Sequence, residues 1–123
     1  MSSVTFDIEA NGFLNEATEI HCISISENDG EPKCFSGERI PFALKHIDSA
    51  EKLIGHNIIG YDLPLLKKLC NFTPRQSVDI RDTYIISQMV WPDIIGNDTD
   101  TSTEILPKKY WGRYSLRSFG YRF

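Results

Sequence analysis

No stretch of this 123-residue chain approaches the roughly 20 consecutive apolar residues that cross a bilayer, so no membrane contact is expected. The start, Met-Ser-Ser-Val-Thr-Phe-Asp, has neither a basic segment nor an apolar run of the secretory type, so no signal is expected there. Cysteine is scarce. Cys22, Cys34 and Cys70 are odd in number and lack paired metal-ligand spacing, which reads as free thiols in a reducing cytoplasm. The Asn-x-Thr matches at Asn71 and Asn97 are then chance occurrences. Disorder is excluded by 41% hydrophobic residues, with seven Phe, five Tyr and two Trp. The length fits a single domain over 1–123.

Charge is unevenly distributed. The formal net is −4, yet residues 108–123 contain no acid and carry Lys108, Lys109, Arg113, Arg117 and Arg122. An acidic body argues against nucleic-acid binding driven by counterion release alone. The basic tail reads either as a local phosphate contact or as a solvated helix face.

Hydrophobic periodicity places strands first and helices later. Val4 to Ile8 alternates, putting Val4, Phe6 and Ile8 on one face. Ile20–Ser26 and Lys33–Ser36 are the next strands, joined by the turn Glu27-Asn28-Asp29-Gly30. The period then changes. Pro41 opens a helix with Phe42, Leu44, Ile47 and Ala50 as its apolar stripe. A strand over 52–57 comes next, then a helix from Asp62-Leu63-Pro64 with Leu63, Leu66 and Leu69/Cys70 inward. Ser77–Ile80 is a short strand, and Asp82 caps a helix bearing Tyr84, Ile85, Met89 and Val90. The turn-rich stretch 93–107 reads as a mobile loop, and Ser115 caps a last helix stopped at Gly120. An antiparallel β-meander followed by αβαβα is an α/β fold with a mixed sheet. Strands 1 and 4 should lie parallel, bringing Asp7-Ile8-Glu9 towards the Asn57–Asp62 segment.

Carboxylates dominate that convergence. Residues two apart in a strand share a face, so Asp7 and Glu9 project together, and two adjacent carboxylates call for a cation. All-oxygen ligation points to Mg²⁺ or Mn²⁺. The plain alternatives are a solvent-facing strand end for Asp7, a turn start for Glu9 and a helix N-cap for Asp62.

Asp7-Ile8-Glu9-Ala10-Asn11-Gly12-Phe13 resembles the first exonuclease motif of the proofreading domain of family A DNA polymerases. His56-Asn57-Ile58-Ile59-Gly60-Tyr61-Asp62 is similar to its second. Asp82-Thr83 and the Gly112–Arg122 segment resemble the polymerases of podovirus-type phages, so the likeness covers essentially the whole chain.

This resemblance implies a ribonuclease-H-like DEDD exonuclease fold. The activity it implies is removal of 3′-terminal nucleotides from single-stranded DNA as 5′-monophosphates, with two divalent ions, Mg²⁺ or Mn²⁺. Asp7, Glu9 and Asp62 would be the catalytic metal ligands. Ala10, Asn11, Phe13, Asn57 and Tyr61 would form the nucleic-acid contact, with Phe13 stacking on the terminal base. Phe13 has an equal alternative as a buried loop residue. His56 and Tyr61 also read as packing residues, and Asp79 and Asp82 as structural ones. The family's third motif, Tyr-x-x-x-Asp, does not occur in these 123 residues. The expectation is therefore a domain truncated before that motif and lacking the C-terminal part of the fold. A downstream polymerase or exonuclease polypeptide, or self-association, would complete its site. The other reading is a weak or inactive nucleic-acid- or protein-binding module that keeps the fold. The expected location is the cytoplasm of a phage-infected or bacterial host cell.

Overall fold

The computed structural model describes residues 2–100, 106–110 and 112–122. The chain divides into two compact units, with the boundary between Asp82 and Thr83.

The first unit is a five-stranded mixed sheet. Strand β1 spans Ser3–Ala10, β2 Ile20–Glu27, β3 Lys33–Ser36, β4 Lys52–Gly55 and β5 Asp79–Asp82. The strand order is β3-β2-β1-β4-β5. The β1–β2 and β2–β3 pairs are antiparallel, and β1–β4 and β4–β5 are parallel. The meander and the parallel β1–β4 pair are as the alternation predicts. Strand β5 lies two residues later than its apolar pattern suggests. Its parallel register on β4, Lys52 opposite Asp79 through Gly55 opposite Asp82, sets its position.

Alternation gives β1 one dry face. Val4, Phe6 and Ile8 are buried with Ile23 and Ile25 of β2 and Leu53 of β4, while Asp7 and Glu9 are exposed. Helix α1, Ile40–Ser49, contributes Ala43 and Ile47 to this core. Ile47 and Ala50 are buried and Leu44 packs against the core as expected, but Phe42 is 53% exposed and the fully buried Ala43 takes its place. Helix α2, Leu63–Cys70, buries Leu65 and Leu66, with Leu63, Leu69 and Cys70 at the core margin.

The second unit contains α3 (Thr83–Val90), α4 (Ile94–Asp100) and α5 (Leu116–Arg122). The expected loop over 93–107 is therefore corrected at 94–100. Asp93 starts that helix by accepting a hydrogen bond from the Gly96 N–H at 3.3 Å. Residues 101–105 lie outside the described residues. Ser115 does cap α5, its Oγ accepting from the Ser118 N–H at 3.1 Å, but the helix runs through Gly120 to Arg122. What holds it past Gly120 is the buried Asp98. Arg122 donates to both Asp98 oxygens, at 2.9 and 2.7 Å, and the Gly112 N–H adds a third bond at 2.9 Å. Rings of Trp91, Tyr114 and Phe119 pack with centroids 5.7 and 6.4 Å apart. The apolar residues of α3 are not covered: Met89 is 76% exposed, and Ile85, Ile86 and Val90 are also exposed. Among the described residues no helix is long and apolar enough to cross a membrane.

Candidate functional site

Asp7 and Glu9 stand on the polar face of β1, opposite Ser24 and Cys22 of β2 respectively. The register slips immediately afterwards. Ala10 pairs with Ile20, leaving His21 as the extra residue of a bulge. A bulge at a strand end twists the chain away from the sheet and re-aims the residues beyond it.

Beyond the bulge the chain forms a tight loop tied down at several points. The Asn11 side-chain oxygen accepts from the Thr18 and Glu19 N–H groups at 2.9 and 3.2 Å, and its amide donates to Thr18 Oγ1 at 2.8 Å. Asn11 is thus committed to shaping the loop. Tyr61 donates its hydroxyl to the Gly12 carbonyl at 2.7 Å, and Lys68 donates to the Leu14 carbonyl at 2.9 Å. Ala17 plugs the inner side, fully buried. Phe13 projects from this fixed loop and is 78% exposed, so the buried-residue reading does not hold for it.

The second segment begins after β4. Gly55 is required by close approach, since a Cβ there would lie 2.2 Å from Ile58 Cγ2 and 3.0 Å from the Phe6 carbonyl oxygen. Asn57 then takes the left-handed conformation, φ 59°. Ile58–Asp62 forms one widened helical turn in which the Leu63 N–H reaches back to the Ile58 carbonyl. The consequence falls on Asp62. Its own backbone is helical (φ −62°, ψ −48°), and its side chain makes no cap hydrogen bond to α2. The N-cap reading is therefore corrected: the turn before it supplies the helix start.

The Asp62 carboxylate points instead across to β1. It is 3% exposed and accepts from the Ile8 N–H at 3.0 Å. Burial pushes its pKa up from 3.8 to about 7, and the Asp7 charge adds to the rise, while the bond from Ile8 opposes it. Burial and the nearby charges of Asp62, Glu9 and Asp7 likewise push the Tyr61 phenol up.

Asp82 has a role that sequence reasoning missed. Buried at the end of β5, its carboxylate accepts from the Asn57 N–H at 2.8 Å and the Ile59 N–H at 2.9 Å. It pins the loop that delivers Asp62. An Asp before a helix gives no sequence signal separating these two roles.

The structure brings Asp7 and Asp62 into electrostatic contact and puts Glu9 on the same face as Asp7. Among the described residues, however, no three His, Cys, Asp or Glu side chains converge closely enough to hold a metal ion. The donor chemistry still fits a hard divalent cation, because all three groups are carboxylates. Asp7 and Glu9 lie at the surface. A cation there would also relieve the buried charge at Asp62.

No family model matches the chain. It is 30% identical over 131 residues to the DNA-directed DNA polymerase of Enterobacteria phage T3, covering 94% of this chain and 18% of that protein. Against the DNA-directed DNA polymerase of Escherichia phage T7 the identity is 27% over 134 residues, covering 97% of this chain and 18% of that protein. The chain thus spans under a fifth of these relatives and is homologous to one segment of them. Among solved structures, the family B DNA polymerase of the hyperthermophilic archaeon Pyrobaculum calidifontis superposes with a TM-score of 0.57 at 14% identity. That match covers 98% of this chain and 22% of the archaeal one. The fold is a mixed-sheet α/β fold of the ribonuclease-H-like class.

Proposed function

We propose that this chain is a 3′→5′ exonuclease-type domain of a phage-like DNA polymerase, acting on the 3′ end of single-stranded DNA. The observation that carries this reading is the Asp62 carboxylate. It is buried, released from capping and turned toward β1, where burial first and the Asp7 charge second raise its pKa. A structural aspartate has no reason to be held against a like charge.

Asp7, Glu9 and Asp62 would hold two Mg²⁺ or Mn²⁺ ions. When bound, such a pair activates water and stabilises the leaving 3′ oxygen. The chain's own residues then divide the remaining work. Asp82 fixes the 57–59 backbone, Tyr61 and Asn11 fix the loop after β1, and Phe13 offers an exposed ring on which any terminal base can stack. Ala10 and Asn57, at the two loop entrances, flank the path of the DNA strand. These 123 residues carry three of the carboxylates such a site uses, and the fourth would come from outside them.

The test has two parts. Mn²⁺ should raise the melting temperature of the protein, and Asp7→Ala should abolish that rise. With 5′-labelled single-stranded DNA and Mn²⁺, the product should be a ladder shortened from the 3′ end, lost with EDTA and reduced at least ~10²-fold by Asp7→Ala. Equal digestion of circular strands would sink the exonuclease reading. The lack of three converged ligands among the described residues favours a second reading, a DNA-binding module without catalysis. Strand binding with no response to Mn²⁺ in either assay would decide for it.

A further inference from the structure

Helix α3 is built the reverse of an ordinary surface helix. Tyr84, Ser87 and Trp91, spaced three and four residues apart, make its inward side. Ser87 is buried and its hydroxyl donates to the Tyr84 carbonyl at 2.7 Å. The Tyr84 ring meets Tyr114 with centroids 6.3 Å apart, and Trp91 packs on Phe119. The isoleucines, methionine and valine of the helix lie on the opposite side. Ile85 with Met89 and Ile86 with Val90 form two adjacent rows, each spaced by four residues. All four are exposed, Met89 by 76% and Val90 by 58%. An amphipathic helix normally turns such a stripe inward.

A contiguous bare apolar face marks an interaction surface, and its chemistry narrows the partner. No charged residue occurs from Thr83 to Val90. The face therefore lacks both the cations that phosphates require and the Lys and Arg of a membrane-surface helix. What it can bury is an apolar protein surface. In a twofold contact both copies use the same patch, so a charge on it would be desolvated without a partner. This uncharged face meets that condition. Antiparallel copies set Ile86 against Met89 and Ile85 against Val90, with the rows of one helix in the grooves of the other. In area, the patch falls in the roughly 300–600 Å² range of a monomer's largest apolar patch. A standard interface takes ~800 Å² from each partner, so the contact is reversible rather than obligate.

We propose that the outward face of α3 binds a second copy of this chain, helix against antiparallel helix, with the twofold axis passing near Ser87 and Gln88. The proposal does not depend on the nuclease reading.

Sedimentation equilibrium of the full chain at increasing concentration tests it. The mean mass should rise from that of the monomer towards twice that value. The net charge is −4, so added NaCl should strengthen the association by screening repulsion between copies. Met89→Asp and Ile86→Lys should each weaken it by about tenfold or more, because each buries an unpaired charge. A mixture of the two variants should associate more tightly than either alone, since the new charges then face each other across the antiparallel pair. Phe42→Asp, at an exposed ring on α1, should change nothing. A chain that stays monomeric at every concentration would overturn the proposal. So would association weakened by salt, retained in Met89→Asp, lost equally in Phe42→Asp, or no tighter in the mixture.

Discussion

Burying an aspartate beside another carboxylate is unfavourable, and at Asp62 the sign of the effect can be worked out. Its pKa is raised from 3.8 to about 7 by burial and by Asp7. In the unfolded chain it ionises near 3.8. In the fold it stays protonated until about pH 7. The protonated fold is therefore favoured at low pH, and this contribution is lost as pH rises from about 4 through 7. Asp62→Asn keeps an acceptor for the Ile8 N–H and removes the ionisation. Chemical denaturation across that range should show wild-type stability falling relative to Asp62→Asn. The gap at neutral pH should reach a few kcal/mol, at about 1.4 kcal/mol per pK unit. Parallel profiles for the two proteins would show that Asp62 ionises freely.

At the scale of elements, the site depends on how tightly β4 hands over to the turn before α2. Gly55 allows Ile58, fully buried, to pass within 2.2 Å of where a Cβ would stand. Gly55→Ala should destabilise the fold by about 1–3 kcal/mol through overpacking. In Gly55→Ala/Ile58→Ala the two effects should combine less than additively, because the clashing methyl is gone. Full additivity in thermal melts of the four proteins would mean that Ile58 yields without strain.

The elements differ in how much of them the sequence discloses. Strand β1 is legible because its one buried face imposes a period of two, and that same period puts Asp7 and Glu9 together. The sequence does not show that Asp62 is freed from capping, because this rests on the Ile58–Asp62 turn, a backbone feature without a residue code. Nor does it show α4. The polar run Gly96-Asn97-Asp98-Thr99-Asp100 has loop composition, and the helix there is fixed by Asp93 at its start and by the Asp98–Arg122 pair. Helix α5 passes Gly120 for the same reason. A buried bidentate ion pair, which also holds the Asp98 carboxyl below its usual pKa, outweighs the roughly 1 kcal/mol preference against an internal glycine. Arg122, read as part of a solvated or phosphate-binding tail, is spent inside the fold.

At the scale of the whole molecule, the question is what three carboxylates achieve in a site of this class. No Tyr in these 123 residues is followed four positions on by Asp, so neither the fourth acid nor the water-orienting hydroxyl of that motif is contributed from within them. In the proposed site Asp7 and Glu9 would then share with solvent a task that a further carboxylate would take. Solvent ligands are less preorganised than protein ones. Losing one preorganised transition-state contact lowers a rate by about 10²–10³, roughly 2.7–4 kcal/mol. The 123-residue chain alone should therefore cleave single-stranded DNA slowly, and more slowly in Mg²⁺ than in Mn²⁺, because Mg²⁺ demands stricter octahedral geometry. Adding a polypeptide that carries a Tyr-x-x-x-Asp helix should raise the initial rate by about 10²–10³, and the same polypeptide with its Asp changed to Asn should not. If the isolated monomer already cleaves at the rate of the mixture, three carboxylates suffice and the fourth is dispensable in this fold.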